Sequence, residues 1–357
     1  MVEVSVIIPV YNASDYLEES LDCILNQTLD DLEILCVDDG SADNSLDILN
    51  DIASRDSRVK VFHQENRGGG AARNVAIPHA TGNYIYFMDA DDKLKDYALE
   101  KCLKISKERN LDFLLFKAIN YAEDTGEYFE TDDYSMNEIA EAVGDKVFSY
   151  DDLGDLLFKM SVTPWCKFYN RNFVVKSGAK FAEGLIFHDN IFFYDSLFYA
   201  ERISFLDEVL YIRRRHSASS TGAGDRRYVN YITISDMIWS IFFKHNVFDR
   251  YKAELATKKF GVINYWYKNI QEEFKKPYFE EMKRDFERIA EDREFYEYIT
   301  DDLIDWQRNI LESCLEADIP EEYDLMMENY DLEIENRHLR HLLDEPIYKI
   351  AASKIRK

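Results

Sequence analysis

Residues 5–10, SVIIPV, form an almost unbroken apolar run, and a strand of that kind is stable only with both faces covered, as in a parallel sheet flanked by helices. Ser14 follows, with Asp15 and Glu18 in the next turn and Leu17, Leu21, Ile24 and Leu25 at helical spacing, which predicts an amphipathic helix capped by Ser14. The alternation then repeats: strand over 32–37, helix over 44–53, strand over 59–62, helix over 70–80, strand over 84–88, helix over 97–108 and strand over 112–119. Such an order predicts an α/β fold built on a doubly wound, mostly parallel sheet.

From about residue 120 the rhythm becomes irregular, with acidic loops between Glu123 and Asp133, a helix expected near 150–160, and short apolar segments around Trp165, Phe181 and Phe192. After Arg226 the pattern is helical, rich in Tyr, Phe, Glu and Lys. The expected organisation is a first half over 1–119, a second half of the same domain over 120–225, and a helical C-terminal extension over 226–357. The last stretch sets Leu332, Leu339, Leu342, Leu343, Ile347, Ile350 and Ile355 beside Lys349, Lys354, Arg356 and Lys357. It reads as an interhelical or oligomeric packing seam, or as a basic foot on an anionic membrane face.

With 69 acidic against 43 basic residues the formal charge is −26, so the long-range field repels nucleic acid. Five cysteines without a Cys-x-x-Cys pair read as reduced packing residues. The start Met1-Val2-Glu3 enters a strand without a basic leader, and no apolar run approaches a bilayer span. The expected location is the cytoplasm, with peripheral attachment at the inner face of the cell membrane as the alternative.

In a doubly wound sheet ligands gather at the carboxyl ends of the strands. Here those ends read Pro9-Val10-Tyr11-Asn12, Asp38-Asp39-Gly40-Ser41, Asn66-Arg67-Gly68-Gly69-Gly70 and Asp89-Ala90-Asp91-Asp92. In a turn, the carboxylates of Asp89 and Asp91 can converge on a hard cation such as Mg²⁺ or Mn²⁺, which commonly shares its shell with substrate phosphates. A solvated turn is the plain alternative. Asp39 could accept a hydrogen bond from a base-ring N–H while Tyr11 packs on the base, or it could simply cap a turn. The three glycines open a helix carrying Arg73, where backbone N–H groups and a guanidinium suit phosphate or ribose oxygens.

These four blocks, SVIIPVYN, VDDGSADNS, ENRGGGAARN and YIYFMDADD, occur in the order and spacing of the family 2 inverting glycosyltransferases of GT-A fold, which the chain resembles over about residues 3–220. The resemblance implies transfer of a sugar from a nucleotide diphosphate sugar, UDP-linked in the commonest case, to a glycan or lipid-linked acceptor hydroxyl in cell-surface polysaccharide or glycolipid assembly. It implies that Pro9, Tyr11 and Asp39 contact the base, that Asn66, Arg73, Asp89 and Ala90 contact the nucleotide, and that Asp91 holds Mn²⁺ or Mg²⁺. The family's Glu-Asp pair before an aromatic segment is represented by His188-Asp189. Asp189 keeps the base position, and His188 departs from the pattern and can retune its neighbour; Asp195 is a weaker candidate. Arg213, His216 and Ser219 resemble the segment that closes over the diphosphate, and Trp165 and Lys167 the segment shaping the acceptor side.

Two rival readings remain at this point. A nucleotide-sugar-binding or scaffold protein without turnover is suggested by His188 and by the long extension. A nucleotidyltransferase would share the sheet and the metal, but its Gly-rich loop with a basic residue after the first strand is absent.

Overall fold

The computed structural model of the chain describes residues 1–216 and 224–344, with residues 339–344 described by backbone alone. These divide into two compact units, one from residues 1–216 and 233–249, the other from 224–232 and 250–344.

The first unit is built on a ten-stranded sheet. Its strands are β1 (Val4–Val10), β2 (Leu32–Asp38), β3 (Val59–His63), β4 (Tyr84–Phe87), β5 (Lys93–Leu94), β6 (Phe113–Ala122), β7 (Glu127–Phe129), β8 (Val147–Phe148), β9 (Lys167–Asn170) and β10 (Ile203–Arg215). The order is β3-β2-β1-β4-β9-β6-β10-β5, with β7 on β6 and β8 on β10. The first four strands are parallel, as the sequence order predicts. β9 runs against both β4 and β6, and β10 pairs parallel with β6, so the sheet is mixed where the second half joins it. Helices α1 (Leu17–Leu25), α2 (Ser45–Arg55), α3 (Gly69–Ala76) and α4 (Ala98–Arg109) provide the crossovers, followed by the shorter α5 (Asp132–Ser135), α6 (Asn137–Val143) and α7 (Arg171–Ser177) and by α8 (Asp189–Leu197).

Val6, Ile7, Ile8, Ile34, Leu35, Cys36 and Val37 are wholly buried, which is the two-sided cover that their unbroken apolar character requires. The Glu33 carboxylate is buried beside them. Glu33 of β2 accepts from Ser5 Oγ at 2.6 Å, Lys60 Nζ at 2.7 Å, and Thr81 N and Oγ1 at 2.7 and 2.9 Å, tying β1, β3 and the approach to β4 to one side chain. Burial pushes this carboxyl up, but Lys60, Ser5 and Thr81 outweigh it and hold the pKa near 2.

Three local expectations change. Ser14 does not cap α1: the helix starts at Leu17, and the Ser14 N–H is held by Asp43 Oδ2 at 3.0 Å. The helix expected over 70–80 ends at Ala76 and continues as a 3₁₀ turn through Pro78, which has no N–H for an α-helical bond. The segment 150–160 forms two 3₁₀ turns parted at Leu153, the second opening at Gly154, whose φ is +53°.

The second unit contains α10 (Lys252–Asn269), α11 (Glu272–Glu291), α12 (Arg293–Thr300), α13 (Asp305–Glu316) and α14 (Pro320–Asp344); α9 (Asn230–Lys244) precedes them, its residues from Thr233 on belonging to the first unit. Phe260, Ile263, Tyr267, Met282, Phe286 and Leu311 form its core. Lys259 and Asp285 make an ion pair inside it at 2.7 Å. The five cysteines are free thiols, and among the described residues no helix is long and apolar enough to cross a membrane.

Candidate active site

The loops after β1 and β2 are tied to each other. Asn12 Oδ1 accepts the Ala42 N–H at 2.8 Å, its own N–H donates to Ser41 Oγ at 3.0 Å, and the Ala13 N–H donates to Ser45 Oγ at 2.9 Å. Pro9 and Tyr11 therefore sit on a fixed floor, with Tyr11 52% exposed and its ring open to a ligand. Asp39 is buried beneath this floor and accepts from Gln64 Nε2 at 2.6 Å, Arg67 N at 2.9 Å and Gly68 N at 2.7 Å. The sequence suggests Asp39 as an acceptor for a base; in the structure it also fixes the loop that carries Asn66 and leads into α3. A carboxylate has about four acceptor positions, so one remains. Asn66 is exposed on that loop.

Arg73 of α3 is only 4% exposed, and its guanidinium pairs with Asp89 and lies 5.4 Å from the Phe181 ring centre. Asp89 to Asp92 form the turn after β4, with the Asp92 N–H reaching back to Asp89 O at 3.4 Å. Asp91 meets His216, whose Nε2 lies 2.9 Å from Asp91 Oδ2. Asp92 points the other way, into the protein. It accepts from Tyr211 Oη at 2.5 Å and from the Arg214 N–H at 2.6 Å, both on β10. Arg214 closes the corner: its Nε donates to Asp91 O at 2.9 Å, its Nη1 to Glu123 at 3.0 Å and its Nη2 to Glu19. Burial raises the Asp92 carboxyl well above its ordinary range, and the like charges of Asp91 and Asp89 add to this. Burial likewise raises Asp89 against the opposing pull of Arg73, with Asp91 and Asp189 pushing the same way. The turn therefore gathers three carboxylates, of which Asp89 is met by Arg73 and Asp91 by His216.

Asp189 contributes to that same field although it lies on another element, the first turn of α8. His188 Nδ1 stands 2.8 Å from Asp189 Oδ1. Burial pushes the Asp189 carboxyl up, but His188, Arg73 and Lys167 outweigh it and hold it below the ordinary value, so Asp189 is ionised at neutral pH. The glycine run makes this arrangement possible. A Cβ on Gly70 would lie 2.4 Å from Ala182 O and 3.1 Å from His188 Cγ, and Gly68 has φ +87°. The triple glycine thus brings α3 against the segment that carries His188, in addition to offering backbone N–H groups.

The structure brings Arg73, Asp89, Asp91, His216 and Asp189 into one electrostatic site. Ala90 is buried at its turn. Arg213 donates to Tyr134 Oη at 2.7 Å. Trp165 and Lys167 are both buried: Trp165 stacks on Tyr211 with ring centres 4.5 Å apart, and Lys167 donates to Ser161 O at 2.5 Å and Thr163 O at 2.7 Å. Asp195 belongs to a separate group with Lys244 at 2.7 Å and His245 at 3.2 Å. Ser219, and the basic residues from Lys349 to Lys357, lie outside the described residues. Sequence reasoning missed Asp92, Tyr211, Arg214 and Tyr16, whose ring lies 4.5 Å from that of His216; Asp92 stood in the acidic run but looked like one more solvated turn residue.

Residues 5–174 match the family model described as "Glycosyl transferase family 2". The chain is 33% identical over 222 residues to glycosyltransferase GlyG of Streptococcus pneumoniae, covering 60% of this chain and 72% of that one. It is 46% identical over 119 residues to a poly(ribitol-phosphate) beta-glucosyltransferase of Bacillus spizizenii, spanning 32% of this chain and only 19% of the relative. Among solved structures, S. aureus TarS 1-349 in complex with UDP-GlcNAc superposes with a TM-score of 0.69 at 21% identity, over 93% of this chain and 92% of that one. That likeness confirms the GT-A fold with its helical extension.

Proposed function

The chain belongs to glycosyl transferase family 2, and on that premise we propose that it is an inverting enzyme moving a sugar from a UDP-sugar to an acceptor hydroxyl, in the assembly of a cell-surface polysaccharide or glycolipid. The observation that carries this reading is Asp189: an ionised carboxylate on α8 that shares one field with Asp89 and Asp91 on the turn after β4. Asp189 removes the proton from the acceptor hydroxyl, which attacks the anomeric carbon as the nucleoside diphosphate leaves on the opposite face. The C1–O bond to diphosphate breaks as the new glycosidic bond forms, and configuration inverts. Arg73 and Asp89 hold the nucleotide side, with Asp39 and Tyr11 at the base. The UDP-GlcNAc complex of the structural neighbour makes uracil the base to test first.

Among the described residues no three His, Cys, Asp or Glu side chains converge on a metal position. The donor set still fits a hard dication held by the Asp91 carboxylate, with His216 beside it and the rest of the shell from diphosphate and water. When bound, Mn²⁺ or Mg²⁺ supplies positive charge against the leaving diphosphate.

A thermal-shift panel of nucleotide sugars with and without Mn²⁺ identifies the donor, since a ligand bound by the native state raises the melting point. NMR of the product then reports the anomeric configuration. Retention would overturn the one-step mechanism, and a chain that binds donor yet neither transfers nor hydrolyses it would favour the scaffold reading raised by His188.

A further inference from the structure

Helix α14 carries apolar residues on two faces. One face packs into the second unit. Tyr323 is wholly buried, with its ring centre 5.2 Å from that of Tyr267 and its hydroxyl donating to Asn264 Oδ1 at 2.8 Å. Met327 is also buried and accepts from Asn309 Nδ2 at 3.2 Å. Beyond Met327 no side chain described on this helix is buried. The other face is exposed: Leu325 is 57% exposed and Leu332 49%.

These two leucines belong to a sequence repeat. Leu325, Leu332 and Leu339 recur every seventh residue, and Asn329, Asn336 and Leu343 stand four residues after each of them. That is a heptad with leucine at d and Asn, Asn, Leu at a. At about 100° per residue the a/d stripe falls roughly 180° around the helix from Tyr323 and Met327. The seam therefore faces away from the surface on which α14 rests.

The polar a positions say what fits it. An amide side chain both donates and accepts, so Asn329 and Asn336 are satisfied when each meets its own counterpart, as in two parallel helices in register. In an antiparallel pair each Asn would face a leucine and lose its partners. In the parallel register Glu335 at g also falls opposite Arg340 at e of the second helix, against one repulsive Glu328–Glu333 pairing. We propose that α14 forms a parallel two-stranded coiled coil with α14 of a second copy of this chain, through Leu325, Asn329, Leu332, Asn336, Leu339 and Leu343.

The full chain is expected to sediment at twice its monomer mass at micromolar concentration. Leu332→Glu places a charge at an exposed position of the isolated chain, so it should leave folding and transfer intact while raising the dimer dissociation constant by about a hundredfold or more. Asn336→Cys should crosslink on mild oxidation, above the background of the five native thiols, because only a parallel in-register pair brings the two residue-336 side chains together. A monomeric wild type, a Leu332→Glu variant that still dimerises, or an Asn336→Cys dimer that does not crosslink each overturns the proposal. A monomeric wild type that co-sediments with phosphatidylserine vesicles through Leu332 would instead assign the stripe to a membrane surface, which also overturns it.

Discussion

Asp189 stands in the first turn of α8 with an imidazole 2.8 Å away, and in the proposed base role that neighbour bears on when it can take a proton. Asp189→Asn should lower kcat by about 10²–10⁴-fold, the span of a lost general base, while leaving donor affinity by calorimetry unchanged. A fall in affinity equal to the fall in rate would remove Asp189 from the base role. His188 is among the groups that hold this carboxyl below its ordinary value against burial, so in His188→Gln the carboxyl rises. The acid limb of kcat/KM should move to higher pH, with little change at neutral pH where Asp189 is still ionised; an unmoved limb would make His188 a packing residue only. Asp39, Asp89, Asp91 and Asp189 are legible in the sequence because each follows an apolar strand or opens an apolar helix within a motif. Asp92, Tyr211 and Arg214 are not, because their partnership joins residues separated by 119 and 122 positions, and no local pattern marks such a contact.

At the scale of elements, the approach of α3 to the 181–188 segment depends on Gly70. Gly70→Ala should cost about 1–3 kcal/mol as an overpacked contact, because the Cβ would meet a backbone carbonyl at 2.4 Å. Gly69→Ala meets only the end of Arg73 at 3.3 Å and His188 at 3.5 Å, and in a helix the exchange otherwise favours Ala by up to about 1 kcal/mol. Paired denaturant melts that order the two variants the other way would refute this account of the glycine run. The sequence shows the triplet but not its neighbour, so a phosphate cradle is all that spacing alone can suggest. Glu33 serves the sheet in the same way. Its folded pKa of about 2, against 4.5 for a free side chain, corresponds to about 3 kcal/mol of stability. The pKa is depressed, so this contribution is present above pH 4.5 and is lost as pH falls toward 2. Glu33→Gln should lower stability at pH 7 by on the order of 2–3 kcal/mol and flatten the acid end of the stability curve. A polar residue inside a strand of apolar neighbours gives no sign in the sequence that four donors await it.

For the whole molecule, a formal charge of −26 on 357 residues sets up self-repulsion that salt relieves. The melting temperature should rise between low and moderate NaCl for that reason alone. MnCl₂ or MgCl₂ at matched ionic strength should raise it further in the presence of UDP, EDTA should remove the surplus, and Asp91→Ala should abolish it; equal shifts from sodium and from the dications would mean screening without a site. The overall plan of strand and helix is readable from periodicity through β4, because parallel strands and their crossovers are written locally. The later strands are harder to read: β9 is four residues long and runs against its neighbours. The clasp between the turn at Asp89–Asp92 and the end of β10 bears on how the protein is made. A ribosome that has completed all four strand-end motifs must still translate more than a hundred further residues before Tyr211 and Arg214 exist to receive Asp92. Contacts of such high sequence separation form late and slowly. The nascent chain thus carries its four strand-end motifs well before the clasp that fixes the last of them can form.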